Sequence, residues 1–211
     1  IYVLESPILS NSQFKKFISF FGKNIKTIDC TFGYNQSIKK SLDNILNESL
    51  NAVREGANQL ILTDKNVSEK KIAIPMLLCV GAVNNYLIKS KLRGHVSLNI
   101  QTGDALDTHS FATLIGVGAT TINPYLSLDC VYQRYKKKHF GTLNYDECVE
   151  RYIQAVNVGL LKIMSKMGIS VLSSYRGGCN FETLGLSRTI VLEYFHGVTS
   201  KISGIGLTGI E

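Results

Sequence analysis

Short apolar runs alternate with stretches of helical period along this chain. Tyr2–Leu4 reads as a strand, and Ser10-x-x-Gln13 then forms a capping box ahead of the apolar positions Phe14, Phe17, Ile18 and Phe21. Ile25–Cys30 is a second strand. Ile38, Leu42, Ile45, Leu46, Leu50 and Val53 follow at helical spacing, with Gly56 where a C-terminal glycine belongs. Gln59–Thr63 is a third strand, and Pro75 opens a helix that runs to Ser90. Val96–Thr102 and Thr120–Asn123 read as the fourth and fifth strands around a helix at Asp107–Ile115. Leu126–Lys138 and Tyr145–Met167 read as helices, Ile169–Ser174 as a sixth strand and Ser187–Phe195 as a last helix before a Gly-rich tail.

Strands that alternate with helices of this length predict right-handed βαβ units on a parallel sheet, an α/β fold. Periodicity does not decide between an open sheet and a barrel, but both place sites at the carboxyl ends of the strands. Those exits read Glu5-Ser6-Pro7, Asp29-Cys30-Thr31, Thr63-Asp64-Lys65, Gln101-Thr102-Gly103-Asp104, Asn123-Pro124-Tyr125 and Ser173-Ser174-Tyr175-Arg176-Gly177. The candidate contact residues on this rim are Asp64, Thr102, Asp104, Asn123, Tyr125, Ser174, Tyr175 and Arg176. Turn chemistry and helix capping also account for Asp, Asn, Ser and Gly at such places.

Composition narrows the class. The 211 residues are 45% hydrophobic but only 18% charged, against a usual charged share of about 25%. This excludes disorder, and it fits a domain whose faces are covered by neighbours. The longest apolar run, Ile72–Val83, is broken by Pro75 and is too short to span a bilayer, so no membrane contact is expected. Five scattered cysteines (30, 79, 130, 148 and 179) lack any C-x-x-C pair, which argues against a disulfide framework, zinc or an iron–sulfur cluster and for a reducing, intracellular setting. A net charge of +7 raises nucleic-acid binding, but only Lys136-Lys137-Lys138-His139 is clustered, and it reads as a solvated helix end. An apolar opening and an apolar close suggest a piece of something longer.

Chemical motifs are sparse. Gly204-Ile-Gly206-Leu-Thr-Gly209 has the letters of a dinucleotide loop, but its context reads as a flexible exit segment. Arg176-Gly177-Gly178 can offer freed amides and a guanidinium to a phosphate, which supports an alternative reading as a stand-alone phosphate-ligand-binding α/β module. Asp64, Asp104 and His109 are the acid and base groups of a third reading, a small barrel-type enzyme.

From Leu60 onward the residues resemble a known family. Leu60–Asp64, Ile74–Val83, Thr102-Gly103, Phe111–Gly116, Gly118-Ala119, Ile122–Leu126, Gly159–Ser170, Ser174–Gly177, Phe181-Glu182, Gly185-Leu186 and Gly204–Leu207 come in its order, and Ser6–Ser10 fits as well. The chain resembles the central domain of the large subunit of glutamate synthase. That resemblance implies a rudimentary, incomplete (β/α) barrel over residues 1–198, with 199–211 as an exit segment leading to an FMN-binding domain. It implies a linking domain between a glutaminase domain and the FMN domain, walling part of the internal ammonia route of an enzyme that makes glutamate from glutamine and 2-oxoglutarate. FMN and an iron–sulfur cluster are implied for the whole enzyme, with no cofactor, metal or catalytic residue in this segment. The implied partners are the glutaminase and FMN domains of the same chain and an electron donor, and the setting is cytoplasm or plastid. Asn84-Asn85-Tyr86, Gln101, His109-Ser110 and Val117 depart from the family's usual residues near the fourth strand.

Overall fold

The computed structural model describes residues 2–178 and 180–211; Ile1 and Cys179, the fifth cysteine of the sequence reading, lie outside the described residues. In chain order, α1 (Asn11–Phe21) precedes β1 (Ile25–Asp29) and the short β2 (Thr31–Gly33), then α2 (Ile38–Arg54) and β3 (Gln59–Thr63). The short β4 (Lys71–Ala73) leads into α3 (Met76–Lys89), β5 (Ser97–Gln101), α4 (Thr108–Val117), β6 (Thr121–Asn123) and α5 (Tyr125–Lys136). The remainder is α6 (Tyr145–Lys166), α7 (Leu172–Tyr175), β7 (Glu182–Leu186), α8 (Arg188–Tyr194), β8 (Thr199–Ile205) and α9 (Leu207–Ile210).

Four strands form one parallel sheet in the order β1-β3-β5-β6. Neighbours in the sheet are neighbours in sequence of βα units, which is the stepwise order of an incomplete (β/α) barrel. The elements begin where local chemistry dictates. The Ser10 hydroxyl accepts from the Gln13 amide at 3.2 Å while the Gln13 side chain accepts from the Ser10 amide at 2.9 Å, the expected capping box. Asn144 and Glu147 build a second one at the start of α6. Gly56 carries the positive φ of +101° that ends α2.

Alternation along the strands divides the sheet into two unlike faces. Ile28, Leu60, Leu62, Leu98, Ile100 and Ile122 are fully buried and join the large core beneath α2, α3 and α4. The other face carries Ile61 with the polar Thr63, Asn99, Gln101, Thr121 and Asn123, and is covered by Leu9, Phe14 and Phe17 of the N-terminal segment and α1. Parallel strands are usually apolar on both faces. Here the buried polar residues satisfy one another: Thr121 donates to Asn99 at 2.8 Å, and the Asn99 amide donates to Gln59 at 3.0 Å and to the Leu60 carbonyl at 3.2 Å.

Three local expectations are corrected. Tyr2–Leu4 is not a strand; the N-terminal segment joins the sheet later, where Ile8 bridges Ile122 in parallel. Ile169–Ser174 is not a sixth strand. The Ile169 amide closes the turn after α6 by donating to the Met164 carbonyl at 3.0 Å, and Leu172 starts the short α7, packed on the core rather than laddered to a neighbour. The glycine-rich tail is not a loose exit: β8 pairs in parallel with β7 across α8, a βαβ unit in which a Cβ on Gly204 would meet the Gly185 carbonyl oxygen at 2.1 Å. Gly204 is therefore glycine because two strands touch there, not because a nucleotide approaches.

Candidate functional site

The carboxyl ends of β3, β5 and β6 bring five of the predicted residues to one end of the sheet. Asp64 is only 2% exposed, and it accepts from the Thr102 hydroxyl at 2.5 Å, from the Gly103 amide at 3.1 and 3.0 Å through its two oxygens, and from the Tyr125 hydroxyl. Burial raises the Asp64 carboxyl above its ordinary value despite these donors, with Asp104 adding to the rise. The Tyr125 hydroxyl is pushed upward by burial and by the Asp64 carboxylate. Lys65 lies 5.9 Å from the centre of the Tyr125 ring.

Thr102 links the Asp64 carboxylate to the backbone of the next loop, since its hydroxyl also accepts from the Asp104 backbone amide at 3.0 Å. Asp104 in turn accepts from the Met76 amide at 2.8 Å. Helix α3 follows Pro75, which offers no side-chain cap, so Asp104 caps it from another loop. Beside this node a second chain of contacts crosses the covered face. Thr63 donates to Gln101 at 3.0 Å, Gln101 to Asn123 at 3.2 Å, and Asn123 to the Leu9 carbonyl and the Asn11 side chain, each at 3.0 Å. Gln101 must both accept and donate here, which a carboxylate in its place could not do.

The remaining three candidates lie elsewhere. Arg176 donates to the Thr120 hydroxyl at 3.2 Å, and that hydroxyl accepts from the Leu98 amide near the start of β5. Ser174, Tyr175 and Arg176 thus stand at the strand-start end, opposite the Asp64 node, because the segment before them is a helix and not a sixth parallel strand. Tyr175 is 1% exposed and packs edge-on against Phe181, with its hydroxyl unpartnered. Sequence reasoning missed Arg93, which holds Asn84, Val96 and Gly118 together. The only trace of this in the sequence was the unusual Asn84-Asn85 pair.

The arrangement fastens the loops after β3 and β5 to one another and to the start of α3. Both Asp64 oxygens are engaged, and His109 is an exposed residue on the first turn of α4. The glycine amides of the Arg176-Gly177-Gly178 turn are already used, the Gly177 amide donating to the Gly116 carbonyl at 2.8 Å and the Gly178 amide to the Tyr175 carbonyl, so they do not form a phosphate cradle. Among the described residues no three His, Cys, Asp or Glu side chains gather to hold a metal, and no helix is long and apolar enough to cross a membrane. Lys136 of the basic run lies 4.7 Å from the centre of the Tyr132 ring, which itself packs on Tyr145.

A family model described as the glutamate synthase central domain matches residues 1–187. The chain belongs to the glutamate synthase central-domain family. The large chain of the NADPH glutamate synthase of Azospirillum brasilense is 47% identical over 211 residues, covering 99% of this chain and 14% of that one. The corresponding chain of Bacillus subtilis (strain 168) is 38% identical over 98% of this chain and 14% of its own, and the ferredoxin-dependent glutamate synthase of Pyropia yezoensis is 37% identical over 97% and 14%. A solved DHODH structure from Eimeria tenella overlays 74% of this chain and 38% of its own, with a TM-score of 0.47 and 16% identity. This central domain therefore spans about one-seventh of the curated relatives it matches, and a stand-alone phosphate-binding module is not the favoured reading.

Proposed function

We propose that the longer protein containing this central domain is a glutamate synthase that makes glutamate from glutamine and 2-oxoglutarate, with this domain as its linking scaffold. The observation that carries the reading is the 47% identity over 99% of the chain to a glutamate synthase large chain. A glutaminase domain and an FMN domain of the same chain are its partners, and FMN and an iron–sulfur cluster belong to those other parts. Relatives named for NADPH, NADH and ferredoxin match at 47%, 33% and 37% identity, so this domain's family does not by itself select the electron donor. The expected setting is intracellular, and residues 199–211 lead onward to the FMN domain.

The domain's own role is to hold its neighbours in register and to wall part of the ammonia route. Ammonia released to water near neutral pH becomes ammonium, which has no lone pair to attack a carbonyl, so a route that excludes water preserves the nucleophile. The Asp64 node suits this role, because it ties the loops after β3, β5 and β6 to one another and to the start of α3. The measurement is the ratio of glutamine hydrolysed to glutamate formed in the full-length enzyme. In Asp64→Ala or Thr102→Val the ratio is expected to rise above that of the wild type, with glutamine hydrolysis itself retained. An unchanged ratio in both variants would remove the rim from the route, while no glutamate synthesis by the intact wild-type enzyme would remove the family activity.

A further inference from the structure

Two guanidinium groups share the strand-start end of the sheet, with no ion-pair partner for either among the described residues. Arg93 donates through Nε to Asn84 Oδ1 at 2.6 Å, through Nη1 to the Val96 carbonyl at 2.6 Å and through Nη2 to the Gly118 carbonyl at 2.9 Å. Arg176 donates through Nη1 to Thr120 Oγ1 at 3.2 Å. Gly118 and Thr120 are two residues apart on one loop, so the two side chains are drawn to the same place. Both line one cavity of about 320 Å³, together with Asn58, His95 and Ser97.

Every acceptor of these bonds is neutral. The ion pairs among the described residues join Lys26 to Glu48, Lys39 to Glu193, Lys71 to Asp29 and Lys201 to Glu182, and none of them reaches Arg93 or Arg176. Burial, and then repulsion from Arg176, push Arg93 down to about 10. A desolvated cation beside a like charge is a costly arrangement, and proteins usually offset it with a paired anion. Each guanidinium carries five N–H donors, so the four bonds named leave donors on both groups for such a partner.

We propose that Arg93 and Arg176 form an oxyanion site that takes a carboxylate or phosphate group in the cavity at the strand-start end of the sheet. Planar guanidinium forks match both groups. The site does not use the Gly177 amide, which is already donated to Gly116, and it is independent of the ammonia-route reading. Its occupant is either a small anion from solution or an acidic side chain presented by another part of the longer chain.

Hydrogen exchange of residues 91–97 and 171–178, followed by mass spectrometry in the full-length protein, distinguishes these sources. The probe is inorganic phosphate titrated at constant ionic strength, with NaCl varied in a separate series. For a solution anion, phosphate at about ten times its Kd slows exchange roughly tenfold in the wild type and in Arg176→Lys but not in Arg176→Gln. For an acidic side chain of the same protein, phosphate has little effect. High NaCl then brings the wild type to the faster exchange of Arg176→Gln, and Arg176→Gln itself ignores salt. The proposal is overturned if wild type and Arg176→Gln respond identically in both series. It also fails if Glu5→Gln, which alters a carboxylate sharing a neighbouring cavity with Arg176, reproduces Arg176→Gln, since the counter-charge would then be Glu5 itself.

Discussion

Removing the Asp64 carboxylate should loosen the loop after β5 more than any other change at that end of the sheet. In Asp64→Ala the Thr102 hydroxyl and the Gly103 amide lose their acceptor while the surrounding packing stays closed. Tyr125 is only partly buried and can turn its hydroxyl to water. A buried donor left unpaired costs about 1–3 kcal/mol, and bonds to a charged acceptor lie toward the upper part of that range. The variant also gains back the cost of burying a charge, which is real here because the Asp64 carboxyl sits above its ordinary value. Two orphaned donors less that relief leave a net loss of about 2–4 kcal/mol for the local closed state. At about 1.4 kcal/mol per factor of ten, the Gly103 amide should exchange roughly 30- to 700-fold faster than in the wild type. Asp64→Asn, which keeps one oxygen acceptor, should fall between the two. Wild-type exchange at Gly103 in Asp64→Ala would refute the argument, because it would mean that the amide is held by something other than Asp64.

Further outcomes follow from the same geometry. The raised Asp64 carboxyl means that the native state holds its proton at pH values where the unfolded chain has lost it. Stability contributed by this group therefore grows as pH falls through the folded value and levels off below the unfolded one, and denaturant titrations across mildly acidic pH should show that slope in the wild type and not in Asp64→Asn. Asp104→Ala should cost about 1 kcal/mol at the start of α3 by removing the acceptor of the Met76 amide, read as faster exchange of the first turn of that helix. Gly204→Ala should separate β7 from β8, since its Cβ would lie 2.1 Å from the Gly185 oxygen, and limited proteolysis should then cut within residues 182–205.

The two ends of the sheet are tied by different chemistry. At the carboxyl end, a buried carboxylate and a threonine bind three loops into one unit. At the other end, Arg93 and Arg176 draw the loop before β6 toward the segment that follows α7. Between them, the polar face under α1 is satisfied by amide and hydroxyl side chains rather than by apolar packing. Replacing the amides of Asn99 or Gln101 by carboxylates would leave oxygens facing acceptors, which explains why neutral residues that both donate and accept occupy these places.

Much of this was legible in the residues themselves. The apolar period placed β3 at Gln59–Thr63 without error, put β1, β5 and β6 within a residue of their bounds, and located the five helices from Met76 to Tyr194 that exceed one turn. Ser10-x-x-Gln13 named the start of α1, because capping is a contact between near neighbours that a short string of letters encodes in full. Asp64, Thr102, Asp104 and Tyr125 were legible as strand-exit residues, but their union was not, since it joins positions as far as 61 residues apart through bonds that only the closed sheet brings within reach. Long-range placement also decided the rest. An apolar run after α6 has the letters of a strand, yet it joins no sheet and its later part forms α7, packed through Leu172 on the core, so that Arg176 stands at the opposite end of the sheet. The tail from Thr199 shows no period that marks it as a strand, and it became one because β7 offered an edge to pair with. Local bonds can be read along a chain; which edge and which charge a segment will meet is settled only when the chain has closed on itself.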